Sequence, residues 1–378
     1  MTDSYTLYGS HASYYTAKVR SYLRKKGVPF VERLPSDPMF RNKVRPASGS
    51  HRIPQLLAPD GQVIQDSVEI VDFLEARYPD LSAFPMPPLQ RTFVHLMELM
   101  GSEGLVQLAW QHRWMFEEND KFVKMEFGRS FRPQGDDEEL RKYGDLIADR
   151  MKSYGLPEST LDIRNALDKK YCRLLELFEA LFAEHPYLLG GQPSAADYAI
   201  MGALHAHLGR DPVGLRLMQN NAPRTFRWVE HMIVPEVQSP EFFFRAIEYL
   251  PGDEVPEPSL DVLRFIAKEY GKQFVLGSMA FNQSMTRENA MSGYELSPEQ
   301  DQPVLSLEKV NYKDVEYQTR ASLYAVWLAQ RSQKWFQAQT AGTQATISEL
   351  LASEELTNLL HVPVLFDIKR VDNRLVVA

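Results

Sequence analysis

The feature that most constrains this fold is a change in the spacing of apolar residues at a proline-rich segment, residues 79–88. Before this segment, short strand-like runs alternate with helical patterns in the order βαβ, then ββα. The first strand is predicted at Tyr5 to Tyr8, and the first helix follows at Tyr15 to Lys26. Asp60-Gly61 joins the last two apolar runs, and this dipeptide is a hairpin signal. The first 80 residues are therefore predicted to form a small α/β domain.

Beyond the prolines the apolar pattern is helical for a long way. Helices are predicted at Leu89 to about Phe116, about Glu138 to Tyr154, Thr160 to Glu184, Ser194 to Leu208 and Phe226 to about Met232. The polar stretch from Glu117 to Gly135 is predicted to be a loop or lid. A second connector with several prolines, residues 250–258, ends the helical region.

The last 120 residues mix both patterns. A helix is predicted from Leu260 to about Asn289, strands at Val304 to Val310 and Val315, and another helix from Thr319 to Gln339. A terminal hairpin is predicted around Asp372-Asn373. The sequence thus predicts three domains: an α/β domain over 1–80, an all-α domain over 89–250 and a small α+β extension over 258–378.

Composition excludes several classes of function. The single cysteine, Cys172, rules out an internal disulfide and a Cys-x-x-Cys site, which fits a reducing, cytoplasmic location. No run reaches the roughly 18 apolar residues of a membrane span, and the first residues do not resemble a secretory signal. The net charge of −8 is spread along the chain, so neither a nucleic-acid nor a membrane partner is expected.

Two short segments of the first domain carry residues suited to binding a peptide. If the Ile53-Pro54 bond is cis, Ile53 can turn its backbone outward to pair with an extended peptide. Asp66 and Ser67 open the third helix, where a carboxylate can bind the free N–H groups while Asp66 takes an ammonium. The alternative is that these residues only begin a strand and cap a helix.

Ser13 lies between the first strand and the first helix. Its hydroxyl there can donate to a thiolate and, with the helix dipole, lower the pKa of a bound thiol, or it can simply cap the helix. Arg52, beside the Ile-Pro step, can pair with a second carboxylate or remain a solvated charge.

Four motifs together resemble the glutathione transferase family. Residues 13–20, SYYTAKVR, resemble the S-P-F/Y-x-x-K/R-V-R motif of its serine-type members, and residues 52–56, RIPQL, are similar to K-[IV]-P-x-L. Asp66-Ser67 corresponds to the E/Q-S pair. Residues 186–199, PYLLGGQPSAADYA, resemble the F-x-x-G-x-x-[ST]-x-A-D segment of the helical domain. Residues 110–250, which include HLGRDPVGLRLMQNNAPRTFRWVEHM, resemble a bacterial subgroup of larger members.

The resemblance implies a thioredoxin-like first domain that binds glutathione as co-substrate and a helical second domain. Ser13 would hydrogen-bond the glutathione sulfur, and Ile53, with Pro54 cis, would pair with the cysteinyl backbone. Asp66 and Ser67 would hold the γ-glutamyl end, and Arg52 would meet the glycyl carboxylate. Members are commonly homodimers. Tyr14 replaces the usual proline after the serine, and Asp66 is one methylene shorter than the usual glutamate.

Aromatic residues, a capping box and the histidines are further candidates for a role in the site. Tyr14, Tyr15, Trp110 and Trp114 are predicted to line a pocket for a small apolar electrophile, although aromatic clusters are more often core. The Ser194 to Asp197 segment is interpreted as a structural capping box. No metal is predicted, because the histidines lack a metal-ligand spacing with acidic or cysteine partners.

The leading functional hypothesis is an enzyme that activates glutathione as a thiolate to attack an electrophile. Conjugation, cleavage and isomerisation remain open as the reaction type. The alternative is a non-catalytic glutathione-binding, ligand-binding or scaffold protein on the same fold.

Overall fold

The computed structural model describes residues 4–154, 156, 158–296, 304–306, 310–312, 315–317 and 320–378. The chain forms two compact units, one of residues up to 83 with 105–250 and one of residues 84–104 with 251–378. The division into three domains stays a proposal from the sequence.

A four-stranded mixed sheet forms the centre of the thioredoxin-like part of the first unit. Its strands are β1 (Tyr5–Tyr8), β2 (Phe30–Arg33), β3 (Gln55–Leu57) and β4 (Val63–Gln65), in the order β2-β1-β3-β4. β1 and β2 are parallel, and the other two pairs are antiparallel. With the helices α1 (Tyr14–Lys25), α2 (Arg45–Ser48) and α3 (Ser67–Glu75), this arrangement confirms the predicted α/β fold.

The core of this part lies between the sheet and the helices α1 and α3. Leu7 and Leu56 face each other across β1 and β3 and are both fully buried. Val19 and Leu23 of α1 and Val71 of α3 are also fully buried. Burying such side chains is the main favourable term in folding.

The rest of the described chain is mainly helical. The helices are α4 (Pro88–Leu99), α5 (Leu105–Met115), α6 (Glu117–Phe131), α7 (Asp137–Lys152), α8 (Leu161–Glu184), α9 (Ala195–Met201), α10 (Pro212–Asn221), α11 (Pro223–Met232), α12 (Glu257–Arg287), α13 (Leu323–Gln337), α14 (Ala341–Leu351) and α15 (Glu354–His361). Helices α5 to α11 belong to the first unit, and α4 with α12 to α15 belong to the second.

The prediction of a loop over Glu117 to Gly135 is wrong, because most of this segment is the helix α6. Phe122, Val123 and Phe127 supply its apolar stripe and pack in a cluster with Trp114. The polar residues that suggested a loop include Glu117 and others in the first turn, where acidic side chains stabilise a helix. α6 and α7 form an antiparallel helical hairpin.

Two predicted helices are interrupted by π-helical turns. The predicted helix from Leu89 to about Phe116 is divided by the turn Met100–Gly104, and the one from Ser194 to Leu208 ends in the turn Gly202–His207. Another π turn, Phe40–Val44, precedes α2. Apolar spacing does not reveal one extra residue in a turn, so these interruptions could not be predicted.

The second unit mixes helices and short strands, as predicted for the extension. The 31-residue helix α12 packs against α13 and α15. Short strands β5 (Val304–Ser306), β6 (Val310–Tyr312), β7 (Val315–Tyr317) and β8 (Arg320–Ser322) form two small ladders, and β9 (Ile368–Val371) and β10 (Arg374–Val377) form the terminal hairpin. Its turn residues Asp372 and Asn373 have φ of 48° and 63°. Helices α14 and α15 were not predicted.

Over the described ranges, the helices lack the combination of length and hydropathy that a membrane span requires.

Two glycines allow α6 and α7 to pack closely. A Cβ on Gly144 would lie 2.3 Å from the backbone oxygen of Lys124, and one on Gly128 would lie 2.1 Å from that of Leu140. Both clashes involve backbone, which cannot rotate away. The hairpin geometry therefore depends on these two positions.

We expect Gly144→Ala to lower the free energy of unfolding of the first unit by about 1–3 kcal/mol, because the helices must separate. Lys142→Ala, an exposed position two residues earlier, should change it by less than about 0.5 kcal/mol. Chemical denaturation followed by tryptophan fluorescence would measure both. Equal stability of the two variants would contradict the packing described here.

Candidate functional site

The turn between β1 and α1 brings Ser13 to the start of a helix. Ser13 has extended backbone angles, and its Oγ accepts a hydrogen bond from the Thr16 N–H at 3.3 Å. The hydroxyl thus caps α1 through a lone pair, while its own proton is left to be donated. Capping and thiolate binding, which the sequence posed as alternatives, are compatible in this geometry.

Arg20 fixes one end of this turn from the second turn of α1. Its Nη2 donates to the carbonyl oxygen of Ser10 at 3.1 Å, and its guanidinium binds both carboxylate oxygens of Glu32 at 2.6 and 2.7 Å. The Arg20 contacts hold the pKa of Glu32 below its usual value, although burial of Glu32 opposes them. Arg20, the arginine of the SYYTAKVR motif, therefore links the backbone at Ser10 to the strand β2.

A buried arginine of α5 fixes the other end of the turn. Arg113 Nη1 donates to the carbonyl oxygen of Ala12, the residue before Ser13, at 2.8 Å. The same guanidinium binds Asp211 through Nε at 2.7 Å and Nη2 at 3.0 Å. Burial raises the pKa of Asp211, and the charge of Arg113 works against that rise. Sequence analysis missed this pair because the two residues are 98 positions apart.

A third contact joins the turn to α6. The hydroxyl oxygens of Ser10 and Ser130 lie 2.8 Å apart, and both side chains are buried. The helix α6, in the segment predicted to be a loop or lid, is thus bonded directly to the turn that carries Ser13.

The segment before β3 presents an unpaired stretch of backbone. The Ile53-Pro54 peptide bond is cis. With the described part of the chain, neither the N–H nor the C=O of Ile53 forms a hydrogen bond. The buried side chain of Gln55 holds this segment, since its Nε2 donates to the carbonyl oxygens of Ser50 and Arg52 at 2.8 Å each. Gln55 occupies the variable position of the RIPQL motif, so the motif gave no signal for this role.

Asp66 and Ser67 open α3 in a constrained geometry. Asp66 has φ 93°, a conformation rare for a residue with a side chain, and its Oδ1 accepts from the Val68 N–H at 2.8 Å. Ser67 is fully buried, and its Oγ has no hydrogen-bond partner in the part of the chain described. The Asp66 carboxylate therefore acts as a helix cap here, and the roles of both residues toward a ligand stay predictions.

The four aromatic residues predicted to line an electrophile pocket fall into two groups. Tyr14 is only 5% exposed and its ring contacts the backbone of Gly202, and Trp114 is 4% exposed and stacks on Phe127. Tyr14 packs against the π turn Gly202–His207, and Trp114 packs against α6. Tyr15 and Trp110 are half-buried, and their pocket role stays a prediction.

Two other expectations from the sequence meet structural observations. Asp197 accepts hydrogen bonds from the Leu188 and Ser194 N–H groups at 2.9 and 2.8 Å and forms the predicted capping box with Ser194, while burial raises its pKa to about 6. Burial also raises the pKa of the Cys172 thiol, which disfavours the reactive thiolate. Among the described residues, acidic, histidine and cysteine side chains form no group suited to a metal ion.

Comparison with known families agrees with this architecture. Residues 7–82 match the model of the glutathione S-transferase N-terminal domain, and residues 151–234 match that of the glutathione S-transferase C-terminal domain. A thioredoxin-like domain followed by this helical domain defines the class. The two matched ranges span 160 of the 378 residues, so this part of the chain is similar to both domains of a glutathione transferase. No curated protein matches the sequence.

Solved structures with a similar chain include several transferases. A glutathione S-transferase from Methylobacterium radiotolerans, solved with glutathione sulfonate, is 20% identical over 65% of this chain and 96% of its own, with a TM-score of 0.37. The glutathione transferase GSTFuA3 from Phanerochaete chrysosporium is 19% identical over 62% and 98%, with a TM-score of 0.44. The β-etherase LigF from Sphingobium is 19% identical over 61% and 94%, with a TM-score of 0.42.

Replacing Gln55 with methionine tests how the segment before β3 is held. Gln55→Met keeps the volume but removes both hydrogen bonds that Nε2 donates, so we expect the free energy of unfolding to fall by about 1–3 kcal/mol and amide exchange over residues 50–54 to become faster. Gln62→Met, at an exposed position in the β3–β4 turn, is the matched control. Unchanged exchange in Gln55→Met would contradict the role assigned to the side chain.

The Arg113–Asp211 pair supports a second prediction. Arg113→Met leaves a buried carboxylate unpaired and should cost about 3–5 kcal/mol, whereas Arg129→Met, which breaks an exposed pair, should cost at most about 1 kcal/mol. The double variant Arg113→Met/Asp211→Leu should recover part of the loss. Additive losses in the double variant, measured by denaturant unfolding, would show that the two residues do not act as a pair.

Proposed function

We propose that the protein binds glutathione and converts its thiol to a thiolate, with Ser13 as the hydrogen-bond donor to the sulfur. The observation that carries this proposal is the state of the Ser13 hydroxyl. It accepts from the Thr16 N–H, so the proton remains for a ligand at the start of α1. This assignment also makes the protein a serine-type member of its family.

The electrostatics at this position favour an anion. The first turn of α1 carries no acidic side chain, so the positive end of the helix dipole is not neutralised there. A hydroxyl donor and a helix N-terminus both stabilise a thiolate relative to a thiol, which lowers the thiol pKa. Because the turn is anchored at Ser10 and Ala12, the position of the Ser13 hydroxyl is fixed before glutathione binds.

The remaining groups suit the other parts of the tripeptide. The unpaired backbone of Ile53 would pair with the cysteinyl residue as an added strand. Arg52 would meet the glycyl carboxylate, and the N–H of Ser67 with the Asp66 carboxylate would hold the two charges of the γ-glutamyl end. The buried Ser67 hydroxyl would contribute only if α3 shifts on binding.

The thiolate would then attack an electrophilic carbon of a small molecule. A sulfur–carbon bond forms, the leaving group departs with its electron pair, and the thiol proton passes to solvent. Conjugation and cleavage can follow this course, whereas in an isomerisation the thiolate adds to the substrate and is later expelled with its bonding pair. The electrophile, a cytoplasmic location and a homodimer are further parts of the proposal that come from the sequence and its resemblance.

Replacing Ser13 with alanine tests the proposed donor. We expect Ser13→Ala to lower kcat with chlorodinitrobenzene by on the order of 10²-fold, because one donor to the developing anion is lost. Glutathione affinity, measured by calorimetry, should change by less than about threefold. Ser353→Ala removes a serine cap of similar geometry from α15 and should leave kcat unchanged.

Two outcomes would count against the proposal. Equal kcat in Ser13→Ala and the native protein would remove Ser13 from the mechanism. Glutathione that binds with an unshifted thiol pKa would indicate the alternative, a non-catalytic glutathione carrier.

A further inference from the structure

A wide cleft lies within the first unit beside Ile53. Its volume is about 1540 Å³, and its walls are the segment from Glu32 to Arg45 with His51 on one side and the α6–α7 hairpin on the other. Residues 83–150, which include this hairpin, lie between the two ranges that match the family models. One wall of the cleft therefore lies in a part of the chain outside those matches, and the other wall lies inside the first match.

The charge on the walls of the cleft is opposite to that of the protein as a whole. Five of the described lining residues are arginines, against three carboxylates, on a chain with a net charge of −8. One of the carboxylates, Glu32, is already paired with Arg20. The lining arginines are Arg33, Arg41, Arg45, Arg132 and Arg150.

The arginines of the cleft lack carboxylate partners. None of the five forms an ion pair within the described part of the chain. The two from the hairpin bond to neutral phenol oxygens instead: Arg132 Nη2 donates to Tyr143 at 2.8 Å and Arg150 Nε donates to Tyr154 at 3.0 Å. Nearby arginines outside the cleft differ, since Arg129 and Arg210 both pair with Glu126. The positive charge in the cleft is therefore available to a ligand.

Aromatic rings lie beside this charge. Phe131 and Tyr143 stack with centroids 6.4 Å apart, and the Arg132 guanidinium lies 4.9 Å from the centre of the Tyr143 ring. Such a wall can contact a flat ring while the guanidinium binds its acidic substituent bidentately. Phe131 is 38% exposed, which leaves part of its side chain free for contact with a ligand.

We propose that this cleft binds an aromatic organic anion, a ring bearing a carboxylate or sulfonate, through Arg132 and Arg150. The binding of the anion is independent of the proposed function. Its role as the electrophilic co-substrate rests on that function. The thiolate of glutathione would attack the ring carbon that bears the leaving group, with the acidic substituent held by the hairpin. The arginines near Ile53 are reserved in this proposal for the glycyl carboxylate of glutathione. Substituting Arg132 and Arg150 of the hairpin therefore tests binding of the aromatic anion selectively.

The binding test compares two fluorescent probes with the same rings, anilinonaphthalene sulfonate and neutral phenylnaphthylamine. We expect the sulfonate to bind the native protein at least about tenfold more tightly at low salt. The variant Arg132→Gln/Arg150→Gln should weaken sulfonate binding by about tenfold or more relative to the control Arg141→Gln, an exposed α7 position outside the cleft. Equal affinity for the two probes, or an equal effect of variant and control, would overturn the proposal.

The kinetic test uses chlorodinitrobenzoate and chlorodinitrobenzene as co-substrates. In both reactions the thiolate forms a carbon–sulfur bond and chloride leaves with the bonding pair. We expect kcat/KM of the double variant to fall at least about tenfold more for the benzoate than for the neutral compound. Equal falls for both would overturn the assignment as co-substrate site.

The two proposals fail in different ways. If glutathione calorimetry shows no binding while sulfonate binding still follows the arginines, the proposed function is wrong and the anion site stands. If glutathione binds and is activated while the probes bind equally, the anion site is wrong and the proposed function stands.

Discussion

The hydrogen bond from Arg113 to the carbonyl oxygen of Ala12 is the contact on which the site depends most. A guanidinium buried this deeply needs a counter-charge, and Asp211 provides it through two bonds. Desolvating both charges is costly, so the pair is a poor way to gain stability. It does fix the position of the residue that precedes Ser13, and Arg20 does the same at Ser10. Two buried arginines thus hold the backbone from which the candidate donor projects.

Much of the first domain could be predicted from the sequence because its elements are short and its signals are local. The Asp60-Gly61 turn joins β3 and β4 as predicted, and Gly61 has φ 91°. The cis bond before Pro54 also agrees with the motif. The contacts that hold the site together could not be predicted in this way. Arg113 with Asp211, and Ser10 with Ser130, are pairs separated by about a hundred residues that carry no shared local pattern.

The wrong prediction of a loop over Glu117 to Gly135 has a physical cause. Polarity was taken as evidence for a loop in α6, whereas that helix needs only Phe122, Val123 and Phe127 to bury one face. The side chains of Tyr14 and Trp114 are almost fully buried, and their role in an electrophile pocket stays a prediction. The correction to α6 matters most for function, since the segment predicted to be a loop or lid is a helix that forms, with α7, the hairpin whose arginines line a cleft.

The central claim is that the mouth of α1 stabilises the sulfur of glutathione as an anion. An ultraviolet titration of thiolate absorbance, with the native protein in excess over glutathione, measures this directly. The account predicts that the bound thiol ionises at least about one pH unit below free glutathione. A titration midpoint equal to that of the free tripeptide, under conditions where calorimetry shows it to be bound, would contradict the account.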